Sequence, residues 1–468
     1  MRSFIALEKK RVLLLSTLFL LTAALVASAR PQGRPPSDMV LIKGARIITM
    51  AGDDIAASDL LIRKGKIAAV ASRLRAPRGV PVIDATGKVI APGFIDAHSA
   101  LLVNPGGSSG GRAESSVLDG VDPFAKHDLV SALSQGVTAV HLLPAASSGI
   151  SGRGALVRLI PETALDAMVL ESDTALKASI GRGSYGRPIA RLGEIKNLRA
   201  AFKRALDYKE ALETYDEELE EYVKKLEERA AEEKKKEEKD KKNGAAHTAP
   251  KDKAKSPAKK DDKKDDKKKD EELKKPKKPG FNAAGAELIK ALDGEIPLFV
   301  EVHRAADIVN LLEVVKEYPV KLVLLGCTEG YLVADEIAAA DAAVIAGPVV
   351  RQRLLENSEF RNHKPGCAAA LARAGVDIAL ASSGRQALET RHLGLNAALA
   401  VAHGVDARTA LGAITIDAAR ILGVADRIGS IDKGKDADLV IFDSDPLSSS
   451  ATVERVFIAG KEVYSLGR

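Results

Sequence analysis

Short apolar runs alternate with helical stretches through the middle of this sequence. Five such runs, each beside a helical pattern, are residues 137–143, 297–303, 321–325, 342–346 and 376–381. Strands that alternate with helices are typical of βα units and of a parallel sheet. The chain has 468 residues, of which 46% are apolar, and this is enough for a barrel of about 250 residues and a second small domain. We therefore predict an α/β fold with a (β/α)8 TIM-like barrel, with a doubly wound open sheet as the alternative.

The two ends of the chain follow a different pattern. Residues 40–88 and 434–464 contain short alternating strands, separated in the first segment by turn residues such as Gly44, Gly65 and Gly87. Strands of this kind indicate a small β-sandwich. We predict one sandwich built from residues 39–88 and 425–468, with the barrel inserted between them at residues 89–424. The flanking strands favour the barrel over the open sheet.

One apolar strand, residues 94–97, ends abruptly in His98. In a barrel of parallel strands, the chemistry lies where the strands end. A single histidine at a strand end is more often an ordinary hydrogen-bonding residue than a metal ligand. However, Pro-Gly-Phe-Ile-Asp-Ala-His at residues 92–98 resembles the first-strand signature of the amidohydrolase superfamily. Gly-Ser-Ile-Asp-Lys-Gly-Lys-Asp-Ala-Asp-Leu-Val at residues 429–440 is also similar to the C-terminal segment of that family.

This resemblance, to metal-dependent hydrolases of the imidazolonepropionase-like kind, implies a divalent metal, usually zinc, at the barrel mouth. It implies a metal-activated water that hydrolyses carbon–nitrogen bonds other than ordinary peptide bonds. By the resemblance, His98 and His303 match metal ligands of the first and fifth strands. Lys177 matches, more loosely, a lysine that bridges two metals. Cys327 could replace a ligand only if its strand shifted, because neighbouring strand residues face opposite sides.

Three positions at which the resemblance implies ligands hold other residues. Ala100 stands for a second first-strand histidine, Gly326 for the sixth-strand histidine, and Ser383, or less plausibly Ser382, for the catalytic aspartate. Two imidazoles are fewer than the three protein ligands of a catalytic zinc site. Two hypotheses follow. The chain is either a hydrolase with a reduced metal site, or a catalytically inactive pseudo-hydrolase that binds a ligand or a partner.

The first residues have the pattern of an export signal. Basic residues precede the apolar run at residues 12–26, and Ala-Ser-Ala at residues 27–29 fits a signal-peptidase site. A membrane span needs about 20 apolar residues, so cleavage is favoured over an anchor. We predict a signal peptide at residues 1–29, a linker at residues 30–38 and a periplasmic or extracellular protein. Such a compartment would permit one disulfide between the two cysteines.

A charged insert interrupts the barrel at residues 205–280. We predict a highly charged helix first and then a disordered low-complexity tract. Residues 231–280 contain 20 Lys against 13 Asp and Glu, a net charge of +7, so the rest of the chain carries −1 of the total of +6. The insert is either a solvated surface element or a polycation that contacts anionic surfaces. Because Asp and Glu are interleaved and no aromatic residue occurs from Val223 to Gly280, specific nucleic-acid binding is not expected.

Overall fold

The computed structural model describes residues 38–103, 112–145, 149–181, 188–244, 273–349, 360–382 and 387–467. The predicted signal peptide, the linker up to residue 37, residues 245–272 of the insert and Ser383 lie outside these ranges. Within them, no helix combines the length and the apolar character that crossing a membrane requires.

The described ranges contain eighteen strands and ten α-helices. The strands are β1 (Met39–Ile47), β2 (Ile55–Arg63), β3 (Lys66–Ala71), β4 (Val82–Asp84), β5 (Val89–Pro92), β6 (Phe94–Ser99), β7 (Val137–Leu142), β8 (Gly149–Arg153), β9 (Ala155–Arg158), β10 (Val169–Glu171), β11 (Leu176–Ser179), β12 (Leu298–Val302), β13 (Leu322–Gly326), β14 (Ala343–Ala346), β15 (Ile378–Leu380), β16 (Leu439–Phe442), β17 (Val453–Ile458) and β18 (Lys461–Ser465). The helices are α1 (Lys126–Leu133), α2 (Leu165–Met168), α3 (Pro188–Gly244), α4 (Ala283–Leu292), α5 (Ala305–Val315), α6 (Ala334–Ala339), α7 (Cys367–Arg373), α8 (Leu393–Ala402), α9 (Ala407–Gly412) and α10 (Ile416–Ile421).

Strands from both chain ends lie side by side in one eight-stranded sheet. Its order is β18-β17-β16-β5-β1-β2-β3, with β4 on β1. The antiparallel pairing of β16 with β5 joins the two ends, from Leu439 opposite Pro92 to Phe442 opposite Val89. Residues 89–92 therefore belong to this sheet, and the predicted barrel boundary moves from residue 89 to β6. The arrangement as a sandwich of two packed sheets stays a prediction.

The remaining strands form a TIM-barrel-like fold, as predicted. Strands β6 and β7 are parallel, and β11 to β15 form a parallel series. The departure is at the third position, where β9 pairs antiparallel with β7 and β8 pairs antiparallel with β11. Only six residues separate β7 from β8, whereas a parallel crossover needs about a dozen. Residues 149–153 of the glycine-rich segment after β7 form strand β8.

Alternate residues of the barrel strands form two different cores. Phe299, Val323, Leu325, Ile345 and Ala379 belong to a buried cluster inside the barrel. Their strand neighbours, such as Leu298, Val300 and Leu324, pack in a second cluster with the surrounding helices. Strands buried on both faces read as continuous apolar runs, which is why these strands are visible in the sequence.

Helix α3 extends far beyond the barrel. Leu198, Phe202 and Ala205 are buried in the second of these clusters, between the barrel strands and the surrounding helices, which we call the outer core. The described side chains after Ala205, up to Lys239, are exposed or only half-buried. The helix therefore leaves the barrel surface near the predicted start of the insert. Beyond that point it is exposed to solvent, which explains why its sequence is highly charged.

Candidate functional site

A small cavity lies at the barrel mouth, where β6 and β12 to β15 end. It is lined by His98, Glu301, His303, Gly326, Thr328, Ile345, Gly347, Pro348, Phe360, His363 and Ala381. The cavity volume is about 20 Å³, which leaves room for about one water molecule. The structure thus brings His98 and His303, two of the residues singled out by sequence, to a single point.

A buried lysine and glutamate face each other beside this cavity. The Lys177 Nζ atom lies 3.4 Å from Glu301 Oε2, and the two side chains are 3% and 5% exposed. Glu301 Oε1 lies 3.5 Å from Nε2 of His303. Because β11 and β12 are parallel neighbours with Lys177 opposite Phe299, Lys177 and Glu301 reach the barrel interior from adjacent strands. The ammonium, the carboxylate and the imidazole lie in one row.

Glu301 is not among the site residues predicted from the sequence. The available signal was its position two residues before His303 on one strand, since residues i and i+2 share a face. A carboxylate on the same face as a candidate ligand is a candidate for the same site.

The ring of His303 fills the space in which a side chain at position 326 would lie. Its Nδ1 atom is 2.8 Å from Oγ1 of Thr328, and its ring packs edge-on against Phe360 with centroids 4.4 Å apart. A Cβ atom on Gly326 would lie 2.3 Å from His303 Cε1, and the φ angle of Gly326 is +82°. A histidine at this position, which the family resemblance implies, would therefore collide with His303 in this arrangement.

We predict that Gly326→Ala destabilises the protein more than Gly375→Ala does. Both glycines have positive φ, but a Cβ on Gly375 meets no atom within 4 Å, so Gly375→Ala isolates the backbone strain. The clash with His303 should add about 1–3 kcal/mol of lost stability, the usual range for overpacking. Thermal and denaturant unfolding of the two variants measure the difference. Equal losses would show that His303 moves aside freely.

The structure places Cys327 away from the cavity. Gly326 and Cys327 both have positive φ, +82° and +47°, and this turn directs Cys327 into the outer core. Cys327 is fully buried there, and the expectation that it could serve as a ligand is not supported by this placement. Ala100 follows β6, is buried, and does not line the cavity. Ser383 lies outside the described residues.

Asp96, two residues before the candidate ligand His98, is bonded to a residue beyond the last barrel strand. Its carboxylate accepts hydrogen bonds from the backbone N–H, at 3.0 Å, and from the hydroxyl of Ser382, just beyond β15. Burial raises the pKa of Asp96 to about 6, while these hydrogen bonds act in the opposite direction. Asp96 and Ser382 therefore link the first barrel strand to the last.

His141 also lies inside the barrel, but both of its ring nitrogens are hydrogen-bonded. Nδ1 is 3.1 Å from the Ala97 carbonyl oxygen, and Nε2 is 2.7 Å from Oγ1 of Thr174. Burial lowers the pKa of His141 to about 4, so the ring is neutral at physiological pH. Its role is structural.

The donors at the mouth do not fit a divalent metal in this arrangement. Among the residues that the structure describes, no group of three or more His, Cys, Asp or Glu is placed to hold an ion. Glu301 lines the cavity, but its carboxylate lies against the Lys177 ammonium. A protonated lysine has no free electron pair and therefore cannot bind a metal ion. A metal would have to displace this contact.

Comparison with known proteins identifies the family. The model of the amidohydrolase family matches residues 89–463. The chain belongs to the amidohydrolase family. Members of this family are typically metal-dependent hydrolases. The expected family is confirmed, and so is the TIM-barrel-like part of the expected fold.

Individual relatives are more distant. Amidohydrolase tasK of Hapsidospora irregularis is 23% identical over 86% of this chain and 39% of its own length. A dihydroorotase of Anaeromyxobacter dehalogenans is 30% identical over 34% of this chain and 33% of its own length. The chain thus spans two fifths or less of these curated relatives. A crystal structure of an amidohydrolase from Thermotoga maritima, 24% identical, covers 91% of this chain and 100% of its own with a TM-score of 0.71, and this likeness supports the fold.

Proposed function

We propose that this amidohydrolase-family chain is a pseudo-hydrolase, which binds a small ligand or a partner and does not hydrolyse it through a metal-bound water. The carrying observation is the buried contact between Lys177 and Glu301 beside the cavity. The positive charge beside the Glu301 carboxylate is therefore the Lys177 ammonium of the protein, in place of a bound metal ion.

Electrostatics supports this assignment. A divalent ion at the mouth would bring two positive charges close to the Lys177 ammonium in a buried site, where like charges repel strongly. Binding would require Lys177 to lose its proton or to leave Glu301. Two of the three replaced positions, Ala100 and Gly326, offer no side-chain donor in compensation.

The family chemistry remains the second candidate. His98, Glu301, His303 and His363 all line a cavity with room for one water molecule. A rearranged Glu301 could join the imidazoles as a ligand, and the chain would then hydrolyse a carbon–nitrogen bond as its family does.

Zinc titration of metal-stripped protein by calorimetry separates the two functions. We expect no saturable site of micromolar or tighter affinity at the mouth. The matched control is the double variant His98→Ala/His303→Ala, which retains every surface carboxylate that could bind zinc weakly. Tight binding that disappears in this variant would contradict the proposal and favour the hydrolase.

We also propose that the protein is exported and that its lysine-rich insert contacts anionic surfaces. The first rests on the basic and apolar pattern of residues 1–29, and the second on the excess of Lys over acidic residues in residues 231–280. Any such contact should weaken as the salt concentration rises, because salt screens the attraction between exposed charges.

A further inference from the structure

The two cysteines of the chain lie together, although 40 positions separate them in sequence. Cys327 follows β13 and is fully buried, and Cys367 begins α7 and is 8% exposed. The Cys367 thiol donates to the Cys327 carbonyl oxygen with an Sγ–O distance of 3.4 Å. Both are present as free thiols.

One short turn lies beside both cysteines. The 3₁₀ turn Gly330–Leu332 follows Cys327 closely, and the Gly330 N–H donates to the Cys327 carbonyl oxygen at 2.8 Å. A Cβ atom on Gly330 would lie 3.1 Å from the Cys327 sulfur. The backbone of Gly330 and Tyr331 also lies close to the Cys367 thiol, where it acts to lower the pKa of that group. Both cysteine side chains therefore lie at the same turn, and the Cys367 thiol influences the pKa of Cys327.

We propose that Cys327 and Cys367 form a disulfide when the protein is oxidised, and that this bond braces the wall of the barrel-mouth cavity. The bond would tie the end of β13 to the start of α7. Gly326 and Thr328, the neighbours of Cys327, both line the cavity, and Thr328 holds His303. The cross-link would therefore restrain the segment that positions the His303 ring.

The chemistry requires an external disulfide as the oxidant, such as glutathione disulfide or a protein disulfide. One cysteine, as its thiolate, attacks the external disulfide, forms a mixed disulfide and releases one thiol. The second cysteine then attacks the mixed disulfide, which forms the Cys327–Cys367 bond and releases the second thiol. The protein loses two protons and two electrons, and the external disulfide is reduced to two thiols.

Burial controls the rate of this exchange. Burial raises the pKa of Cys367 to about 11 and that of Cys327 well above its ordinary value. Few thiolates are therefore present in the folded protein at neutral pH, so exchange in the native state should be slow and should accelerate at alkaline pH.

The test uses the whole protein, purified without reductant and then held at alkaline pH with glutathione disulfide. The sample is quenched in acid, unfolded, alkylated and weighed by mass spectrometry. We expect no alkyl group before reduction, two after reduction, and a cross-linked peptide containing Cys327 and Cys367. The oxidised protein should also melt roughly 5 °C above the reduced protein, as a disulfide that closes a loop of this size implies.

Two matched variants, Cys327→Ser and Cys367→Ser, identify the bond. Each should keep one reactive thiol and should melt at the same temperature with and without oxidant. Wild-type protein that accepts two alkyl groups before reduction, or that carries glutathione on both cysteines, would overturn the proposal. The mass measurement on the wild-type chain decides the question even where a variant fails to fold.

Discussion

Replacing Lys177 with methionine should lower the free energy of unfolding by about 3–5 kcal/mol, the range for removing one partner of a buried ion pair. The Lys177 ammonium lies 3.4 Å from the Glu301 carboxylate, and both side chains are almost fully buried. Without the ammonium, the negative charge of Glu301 stays in a poorly solvated site beside His303. The methionine preserves most of the side-chain volume, so the loss reports charge and not packing.

The double variant Lys177→Met/Glu301→Gln is the matched control. Because it removes both charges together, it should recover most of the stability that Lys177→Met loses. Urea unfolding of the wild type, both single variants and the double variant yields the coupling energy of the pair. A Lys177→Met protein within about 1 kcal/mol of wild type would mean that the contact is weak, and the proposed replacement of the metal by Lys177 would lose its support.

Replacing Arg158 with methionine should be comparably damaging, with a loss of about 3–5 kcal/mol. Arg158, at the end of β9, donates from Nε to Asp438 at 2.9 Å and from Nη2 to Asp436 at 2.7 Å. Asp436 and Asp438 precede β16, so this guanidinium joins the barrel to the sheet of the chain ends. Asp436 keeps a second partner, Lys66, at 2.8 Å, whereas Asp438 is deeply buried.

The pH dependence of the Arg158→Met loss provides a second readout. Burial already raises the pKa of Asp438, although Arg158 opposes this, and removal of Arg158 should raise it further. A carboxyl whose folded pKa lies above its unfolded value stabilises the fold only when it is protonated. The deficit should therefore be largest at neutral pH and shrink as the pH falls toward the unfolded pKa. The variant Arg158→Lys retains the charge but cannot donate to both carboxylates in the same way, so it should lose less. A deficit that does not depend on pH would point to lost packing.

Several parts of this protein could be predicted from the sequence. The strands β7, β12, β13, β14 and β15 are visible because both of their faces are buried, which produces continuous apolar runs. The positions of His98 and His303 at strand ends follow from the same runs. Motifs at residues 92–98 and 429–440 indicate the family. The first includes the start of β6, and the second leads into β16 of the eight-stranded sheet.

The antiparallel third position was not predicted. The segment 149–158 is rich in small residues and has no apolar alternation of its own. Its direction depends on the short connection from β7 and on the edges that β7 and β11 present to it. In the sequence, a loop and a strand of this composition cannot be distinguished, because the strand depends on pairing with its neighbours.

The fold class and the family could be predicted from local patterns and residue identity, whereas the replacement of ligands at Ala100 and Gly326 stays a prediction from the resemblance. Which groups meet at the mouth depends on the tertiary structure. Lys177 and Glu301 are brought together by the pairing of β11 with β12, and the space for His303 exists because position 326 has no side chain. Contacts between distant segments depend on strand register and backbone direction over the whole barrel, and neither is encoded in any short stretch of residues.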